Sequence, residues 1–265
     1  MENQGLRKRR PVSAVVIALN EEHRIAPCLE SLSWADEIVV VDSGSADATV
    51  ELAKRYTDKV YTLPWKGFGP QKQAAVDLAS NDAVLNVDCD ERVTPELAGE
   101  IQAILSGDEM LPGYSVPRRT FLGGKEIRHC GWYPDRTVRL FDRRKARFSE
   151  DIVHERVVVS GGTAECRNHI LHYSFSGISD LLAKLERYGD LGARQMYERG
   201  RRWRLSDLMI RPAYALLKTY ILKLGFLDGY EGWLISKTTA FLTFTKYAKL
   251  RDLEKNRTGR SERDG

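Results

Sequence analysis

The run Asn86-Val87-Asp88-Cys89-Asp90-Glu91 sets two carboxylates two residues apart at the end of an apolar stretch. On an extended chain such residues point to the same side, so Asp88 and Asp90 can face one divalent cation while Cys89 faces the interior. Hard oxygen donors of this kind suit Mg²⁺ or Mn²⁺, which takes few protein ligands and keeps open positions for phosphate oxygens. A D-x-D pair by itself also fits a solvated turn; the apolar strand before it gives the metal reading its weight. Asp42 closes a second apolar run, Ile38 to Val41, just before Ser43-Gly44-Ser45. There it can accept hydrogen bonds from a nucleotide base or ribose, or instead cap the helix that follows. Asn20, Glu21 and Glu22 end the first apolar run at the same edge.

These residues need elements that bring their strand ends together. Val12 to Ala18 reads as a fully buried strand, and Ile25, Leu29 and Leu32 follow at helical spacing. Glu37 to Asp42 is a second strand, followed by a helix near Asp47 to Tyr56, a short strand at Val60 to Thr62 and a helix carrying Lys72. A strand from Ala83 to Asp88 precedes Thr94, which caps a helix beginning at Pro95. Strands alternating with helices predict an α/β fold, a Rossmann-like and mostly parallel sheet flanked by helices, with ligands at the carboxyl ends of the strands. From about 112 to 175 short strands and loops predict an antiparallel extension that completes the site. The expected division is a catalytic domain over 1–177, in halves 12–106 and 107–177, and a helical, basic and aromatic extension over 178–265 with a frayed tail.

The bulk properties agree. At 265 residues with 42% hydrophobic and 29% charged, the chain is long enough for one large domain or a domain with an appendage. Its 41 Lys and Arg against 37 Asp and Glu leave only +4, which gives no global signature of a nucleic-acid binder. Cys28, Cys89, Cys130 and Cys166 form no C-x-x-C pair, which excludes a zinc knuckle or disulfide scaffold and points to a reducing compartment. The apolar run after the basic N-terminus stops at Asn20-Glu21-Glu22 without an Ala-x-Ala site, so it reads as a strand and not as a signal peptide. No segment supplies the roughly 18 uncharged apolar residues of a membrane span.

The motifs ALNEE (18–22), DEIVVVDSGSADAT (36–49) and NVDCDERVTPEL (86–97) resemble the family 2 glycosyltransferases of the GT-A fold, which use nucleotide diphosphosugars. The blocks WKGFGPQKQAA (65–75), WYPDRTVRLFDRR (132–144), VHE (153–155), LHYSF (171–175) and GFLDGYEG (225–232) are similar to the lipopolysaccharide-core β-1,4-glucosyltransferase group within it. The resemblance implies that Asn20, Glu21 and Asp42 hold the uridine of a UDP-sugar, UDP-glucose by preference. It also implies that Asp88 and Asp90 reach metal and diphosphate, and that a hexose passes to an inner-core heptose. Cys89 departs from the pattern, which more usually has a small residue such as Ala between the carboxylates.

Family 2 enzymes invert the anomeric centre, which requires a base within hydrogen-bond reach of the acceptor hydroxyl. Glu155 is the first candidate and Asp151 the second; Glu155 could instead pair with Arg156 on the surface. His172 is a candidate third metal ligand, or a satisfied packing residue. The window from Arg118 to Arg147 holds ten Lys or Arg against three acids, and Arg136 and Arg139 could bind the donor diphosphate or acceptor phosphates, with Lys72 as a further donor contact. Trp132 and Tyr133 are candidates to stack on a sugar. From 181 to 223 ten Lys or Arg face four acids, and from Leu208 onward apolar and aromatic residues fill the gaps. This suits a peripheral placement on anionic lipid at the inner face of the cytoplasmic membrane, near a lipid-linked acceptor; an ordinary helical cap is the alternative. A sugar-phosphate nucleotidylyltransferase would need a Gly-rich loop where Asn20-Glu21-Glu22-His23-Arg24 stands, and a non-catalytic binding module would not need Asp88, Asp90 and Glu155 together. Nucleic acid is disfavoured by the acidic strand ends.

Overall fold

The computed structural model describes residues 9–149, 155–175 and 177–261. Strand β1 (Val12–Ala18) is buried along almost its whole length and pairs in parallel with β2 (Glu37–Asp42) on one side and β4 (Ala83–Asn86) on the other. β3 (Val60–Thr62) extends the parallel set beyond β2. A central strand covered on both faces has no solvent side, which is why VSAVVIA and EIVVVD read as unbroken apolar runs. β1 directs Val12, Ala14 and Val16 into one core and Val15 into a second. The first core is completed by α1 (Ile25–Glu30) and α4 (Pro95–Ser106), through Leu29, Leu97 and Ile101. Ala75 and Val76 of α3 (Phe68–Asp77) meet Phe141 and Phe148 in the second. A short helix α2 (Thr49–Ala53) follows the second strand. Thr94 accepts a hydrogen bond from Leu97 N and Pro95 takes the first helical position, as expected for the start of α4.

Beyond β4 the sheet turns antiparallel. Its strands lie in the order β3-β2-β1-β4-β8-β6-β12-β5, with β6 (Gly113–Leu122), β8 (Asp135–Asp142), β12 (Ile170–Phe175) and β5 (Glu91–Val93). β7 (Lys125–Ile127) and β11 (Thr163–Glu165) flank β6, while β9 (Ala146–Phe148) and β10 (Val157–Val159) make a separate ribbon. The mixed α/β layout, parallel first and antiparallel after, is the one read from the sequence. The β6 and β8 register slips by one residue, Tyr114 facing Leu140 and Ser115 facing Val138, so Arg139 is the extra residue of a bulge. Bulges re-aim side chains, and this one carries an arginine.

Two compact units divide the chain: Met1–Arg119 with Asp135–His172, and Thr120–Pro134 with Tyr173–Gly265. In the second, α5 (Ile178–Glu198) and α6 (Leu205–Leu217) both pack along the long α7 (Gly229–Ser261). A π-helical turn (Lys218–Leu222) and a 3-10 turn (Gly225–Asp228) link α6 to α7. The small core here gathers Leu122, Ile127, Cys130 and Ile235 with Trp132 and Phe175. An ideal Cβ on Gly232 would lie 1.8 Å from Gly225 O, so only glycine permits this turn to close on the start of α7. Asp228 accepts from the backbone of His129 at 2.8 Å, with the His129 ring 3.0 Å away.

One buried acid ties the edge of the first unit together. Glu37 receives Lys59, Ser13 and both the backbone and hydroxyl of Ser80. Burial opposes ionisation, but these hydrogen bonds outweigh it and bring the carboxyl down to about 2 from 4.5. A folded value below the unfolded one means the contribution is complete above pH 4.5 and is lost as pH falls through about 2. Because Lys59 is partly solvated, we expect Glu37→Gln to cost about 2 kcal/mol at neutral pH, less than the full shift at 1.36 kcal/mol per unit implies. Urea unfolding across pH 2 to 7 checks it: the wild-type and variant curves should merge toward the acid end.

Candidate active site

The parallel pairing of β1, β2 and β4 puts Asn20, Asp42 and Asp88 after the carboxyl ends of adjacent strands, in register through Ala18 opposite Asp42 and Val15 opposite Asn86. Their side chains are used differently. Asp42 is 1% exposed and spends its carboxylate on Gly44 N at 2.8 Å, Ser45 N at 2.9 Å and the Ser45 hydroxyl. It shapes the turn after β2; it does not cap the following helix, whose N-cap position is Ala48 without a side-chain cap. Asn20, in the left-handed region at φ 54°, accepts from Ala46 N at 2.9 Å, and its own N–H donates to Ser45 Oγ at 2.8 Å. Glu21 N donates to Thr49 Oγ1 at 2.7 Å, and the Glu21 carboxylate lies 3.4 Å from Arg24. Asn20 and Asp42 thus build one interlocked loop layer, 43 to 49, over the sheet edge.

The D-x-D pair is shaped by a turn and not by an extended strand. β4 ends at Asn86, and Glu91 N–H donates to Asp88 O at 2.9 Å while Asp88 N–H donates to Glu91 Oε2 at 3.0 Å. Cys89 does face inward, with Sγ 3.2 Å from Ile17 O, and burial pushes its thiol well up. The two carboxylates, however, reach different partners. Asp88 lies between two cations, Lys72 Nζ at 2.8 Å and Arg139 Nη2 at 2.8 Å. Asp90 lies 3.4 Å from His172 Nε2, both side chains under 20% exposed, and the β5–β12 register that sets Glu91 opposite His172 makes that pairing possible.

Lys72 also reaches Glu155 Oε1 at 3.0 Å, so helix α3, the turn after β4 and the segment before β10 converge on one ammonium. Desolvation works against its charge, but Asp88 and Glu155 outweigh that and hold Lys72 above its ordinary range. For Asp88 the balance runs likewise: burial would raise its pKa, while Arg139 and Lys72 hold the carboxyl far below the usual carboxylate range. Arg139, 4% exposed, is itself held charged by Asp88 and Glu91 against a large desolvation cost. Arg118 closes the chain of charges, 3.6 Å from Glu91 and in contact with Asp135.

Among the sequence candidates the structure therefore brings together Lys72, Asp88, Arg139 and Glu155, with Asp90 and His172 as a neighbouring pair. Arg136 goes elsewhere, donating to Cys166 O at 3.0 Å and lying 3.5 Å from Glu165. Trp132 packs on Phe175 at 5.6 Å, while Tyr133 is 40% exposed. Asp151 lies outside the described residues. Glu91 and Arg118 were not singled out from sequence. Glu91 has no exposed surface, and its signal was the third acid in four residues, ahead of Val93.

Does this set fit a divalent metal? Asp90 and His172 stand at the separation of two donors on one ion, about 2.1 Å from each. Asp88 is spoken for by two cations, and among the described residues no group of three or more His, Cys, Asp or Glu converges. The donors present supply two protein ligands and leave the remaining positions to phosphate oxygens and water, a set that suits Mg²⁺ or Mn²⁺. The orphaned atoms nearby are all donors: Asn86 Nδ2, Arg118 Nε and Arg139 Nε are buried with no hydrogen-bond partner among the described residues. Buried donors without acceptors are costly to the fold. A cavity of about 490 Å³ lined by Leu63, Lys66, Gln73 and Arg147 includes none of these groups.

Comparison with known proteins identifies the family. The family model for glycosyl transferase family 2 matches residues 13–156, 144 of the 265. The chain belongs to glycosyl transferase family 2. This glycosyltransferase is 32% identical over 252 residues to the lipopolysaccharide core biosynthesis glycosyltransferase LpsC of Rhizobium meliloti (strain 1021), covering 91% of this chain and 92% of that one. It is 30% identical to an uncharacterized glycosyltransferase of Rickettsia typhi (strain ATCC VR-144 / Wilmington), over 92% of this chain and 88% of the relative. A crystal structure of glucosyl-3-phosphoglycerate synthase from Mycobacterium tuberculosis, in complex with Mg²⁺ and uridine-diphosphate, aligns at 28% identity and a TM-score of 0.34. That match covers 42% of the glycosyltransferase and 44% of the synthase, less than half of either, and places no ligand here.

Proposed function

We propose that this family 2 glycosyltransferase is an inverting, metal-dependent hexosyltransferase that moves glucose from UDP-glucose to an inner-core heptose of lipopolysaccharide. The observation that carries the donor reading is the set of buried donors around Asp88, two cations and three unpartnered N–H groups, which fit a diphosphate. The name of the relative LpsC supports the acceptor class. The acceptor is lipid-linked, and the protein works as a peripheral protein on the cytoplasmic face of the inner membrane; no helix among the described residues is long and apolar enough to cross a bilayer.

Each residue has a chemical task. Asn20, Glu21 and Asp42 define the loop layer that receives the uridine. Asp90 and His172 would hold Mg²⁺ or Mn²⁺, with Asp88 bearing on the diphosphate through Lys72 and Arg139; a bound ion neutralises charge on the departing phosphate. Lys72 and Arg139 give fixed positive charge to the diphosphate as the bond from its oxygen to the anomeric carbon breaks. Arg136, engaged by Cys166 O and Glu165, is given no part in the transfer. Glu155, kept beside Lys72, takes the proton of the acceptor hydroxyl while the hydroxyl oxygen bonds to the anomeric carbon from the opposite face. Asp151 is the second choice for that proton. The products are UDP and an inverted glycoside.

The test is UDP release with a panel of UDP-sugars and a heptose-containing truncated lipopolysaccharide, with Mn²⁺ and with a chelator. UDP-glucose should support turnover at least tenfold above the other sugars, and the chelator should abolish it. Release with none of the sugars would overturn the assignment.

A further inference from the structure

The second unit carries a surface to which the roles proposed above assign no residue. From Arg199 to Tyr230 the sequence has seven basic residues, Arg199, Arg201, Arg202, Arg204, Arg211, Lys218 and Lys223, and two acids, Asp207 and Asp228. Both acids are turned inward. Asp207 is 6% exposed and held by Arg211 and Arg201, and Asp228 is 5% exposed and capped by backbone N–H groups of Arg128 and His129. The charge that this segment presents outward is therefore entirely positive.

Large apolar side chains stand among those cations. Ile210, Tyr214, Leu217 and Ile221 recur at i, i+4, i+7 and i+11, one stripe along α6 and the π-helical turn, and Leu222 and Leu227 continue it around the corner. Their exposures run from 47% to 66%. Isolated exposed apolar residues need no explanation, but a contiguous ridge of six does. The corner is built firmly: the Gly225 and Gly232 contact clamps the 3-10 turn on α7, leaving no room for a Cβ. At its flank Lys237 Nζ sits 4.6 Å over the Trp233 ring, a cation on an aromatic at the edge of the ridge.

An apolar ridge in a segment whose own exposed charges are all basic, with Glu254 of α7 accepting from Trp203 N at 2.9 Å beside it, matches an interface that is apolar inside and anionic at its surface. A second copy of the same ridge would set positive against positive, and nucleic acid would leave the aliphatic side chains without a partner. We infer that the ridge from Ile210 to Leu227 is the docking surface of the second unit for an anionic lipid bilayer, with Leu222 and Leu227 inserted and Arg202 and Lys218 among the headgroups. This deepens the peripheral placement proposed above and rests on it for its biological setting.

The experiment is flotation of the full-length protein with phosphatidylcholine vesicles, with and without about one-third phosphatidylglycerol. Neither donor nor acceptor is added, so a wrong substrate assignment leaves the readout untouched. The wild type should float with anionic vesicles at least tenfold more than with neutral ones. Leu222→Asp with Leu227→Asp should lower that recovery at least tenfold, and Arg202→Glu with Lys218→Glu should remove the anionic preference. Both pairs lie on exposed positions, and unchanged melting temperatures confirm that they fold. Lipid-independent behaviour of the wild type would overturn the proposal, as would full recovery of the Leu222 and Leu227 variant. So would a wild-type dimer in sedimentation that the same variant dissociates, which would assign the ridge to a second copy.

Discussion

Glu155→Gln is expected to lower kcat by about a thousandfold while leaving donor affinity unchanged, the signature of a lost general base. The expectation rests on geometry. Glu155 Oε1 lies 3.0 Å from Lys72 Nζ, and the same nitrogen lies 2.8 Å from Asp88, so the carboxylate stands one side chain away from the proposed diphosphate site. A glutamine of the same shape keeps a hydrogen bond from Lys72 but cannot take a proton. Lys72→Met should behave differently. Removing the ammonium leaves Asp88 to Arg139 alone, takes from Glu155 its Lys72 partner and deprives the proposed diphosphate of a charge, so donor KM and kcat should both suffer, with KM rising at least tenfold. Steady-state kinetics with isothermal titration of UDP separates the two patterns. A Glu155→Gln protein with normal donor binding and full turnover would remove Glu155 from the mechanism.

Much of the fold was legible because burial on both faces leaves a clear trace. VSAVVIA and EIVVVD have no polar side, and strands without one belong to a covered parallel sheet. The cap at Thr94 and Pro95 was equally local and equally readable. The Asp88 turn was not. Period-two spacing predicts that Asp88 and Asp90 share a face, yet Glu91 closes the backbone on Asp88 and sends the two carboxylates to separate partners. The signal that decides this, a carboxylate folding back on its own chain three residues earlier, competes with strand geometry and leaves no periodic mark. The charge network was hidden for another reason. Lys72 and Glu155 are 83 residues apart, and Arg139 and Asp88 are 51 apart. In a window holding ten basic residues, spacing alone could not tell the bulged, inward Arg139 from Arg143 and Arg144, which answer Asp82 and Asp142 at the other end of β8. Asp42 shows the converse. Its place was read correctly, but at 1% exposure its oxygens serve the 43 to 45 turn.

The buried arginine gives the second large effect. Arg139→Met should destabilise the protein by about 3 kcal/mol, the scale on which breaking a buried ion pair strands the remaining charge. Glu91 has no exposed surface and would keep Arg118, 3.6 Å away, as its cation, while Asp88 would keep Lys72 as its cation. Glu91→Gln alone should cost about 2 kcal/mol, since Arg139 retains Asp88 but Glu91 loses its charge-assisted bonds. Together the two changes remove the pair and not half of it, so the double variant should be less destabilised than the sum by at least about 1 kcal/mol. Urea unfolding of the four proteins measures that coupling, and strict additivity would show that the two side chains are not energetically linked. The acid dependence provides an independent check. Arg139 and Lys72 hold Asp88 well below its ordinary 3.8, so the native network contributes fully above that pH and is lost as pH falls far below it. Without Arg139 the carboxyl returns toward its ordinary value, so the stability gap between wild type and Arg139→Met should be widest at neutral pH and shrink below about pH 4. Activity should not follow stability. The double variant recovers the coupling energy but still lacks the positive charge proposed to face the diphosphate, and its turnover should stay as low as that of Arg139→Met. That split would separate what the buried charges do for the fold from what they do for the leaving group.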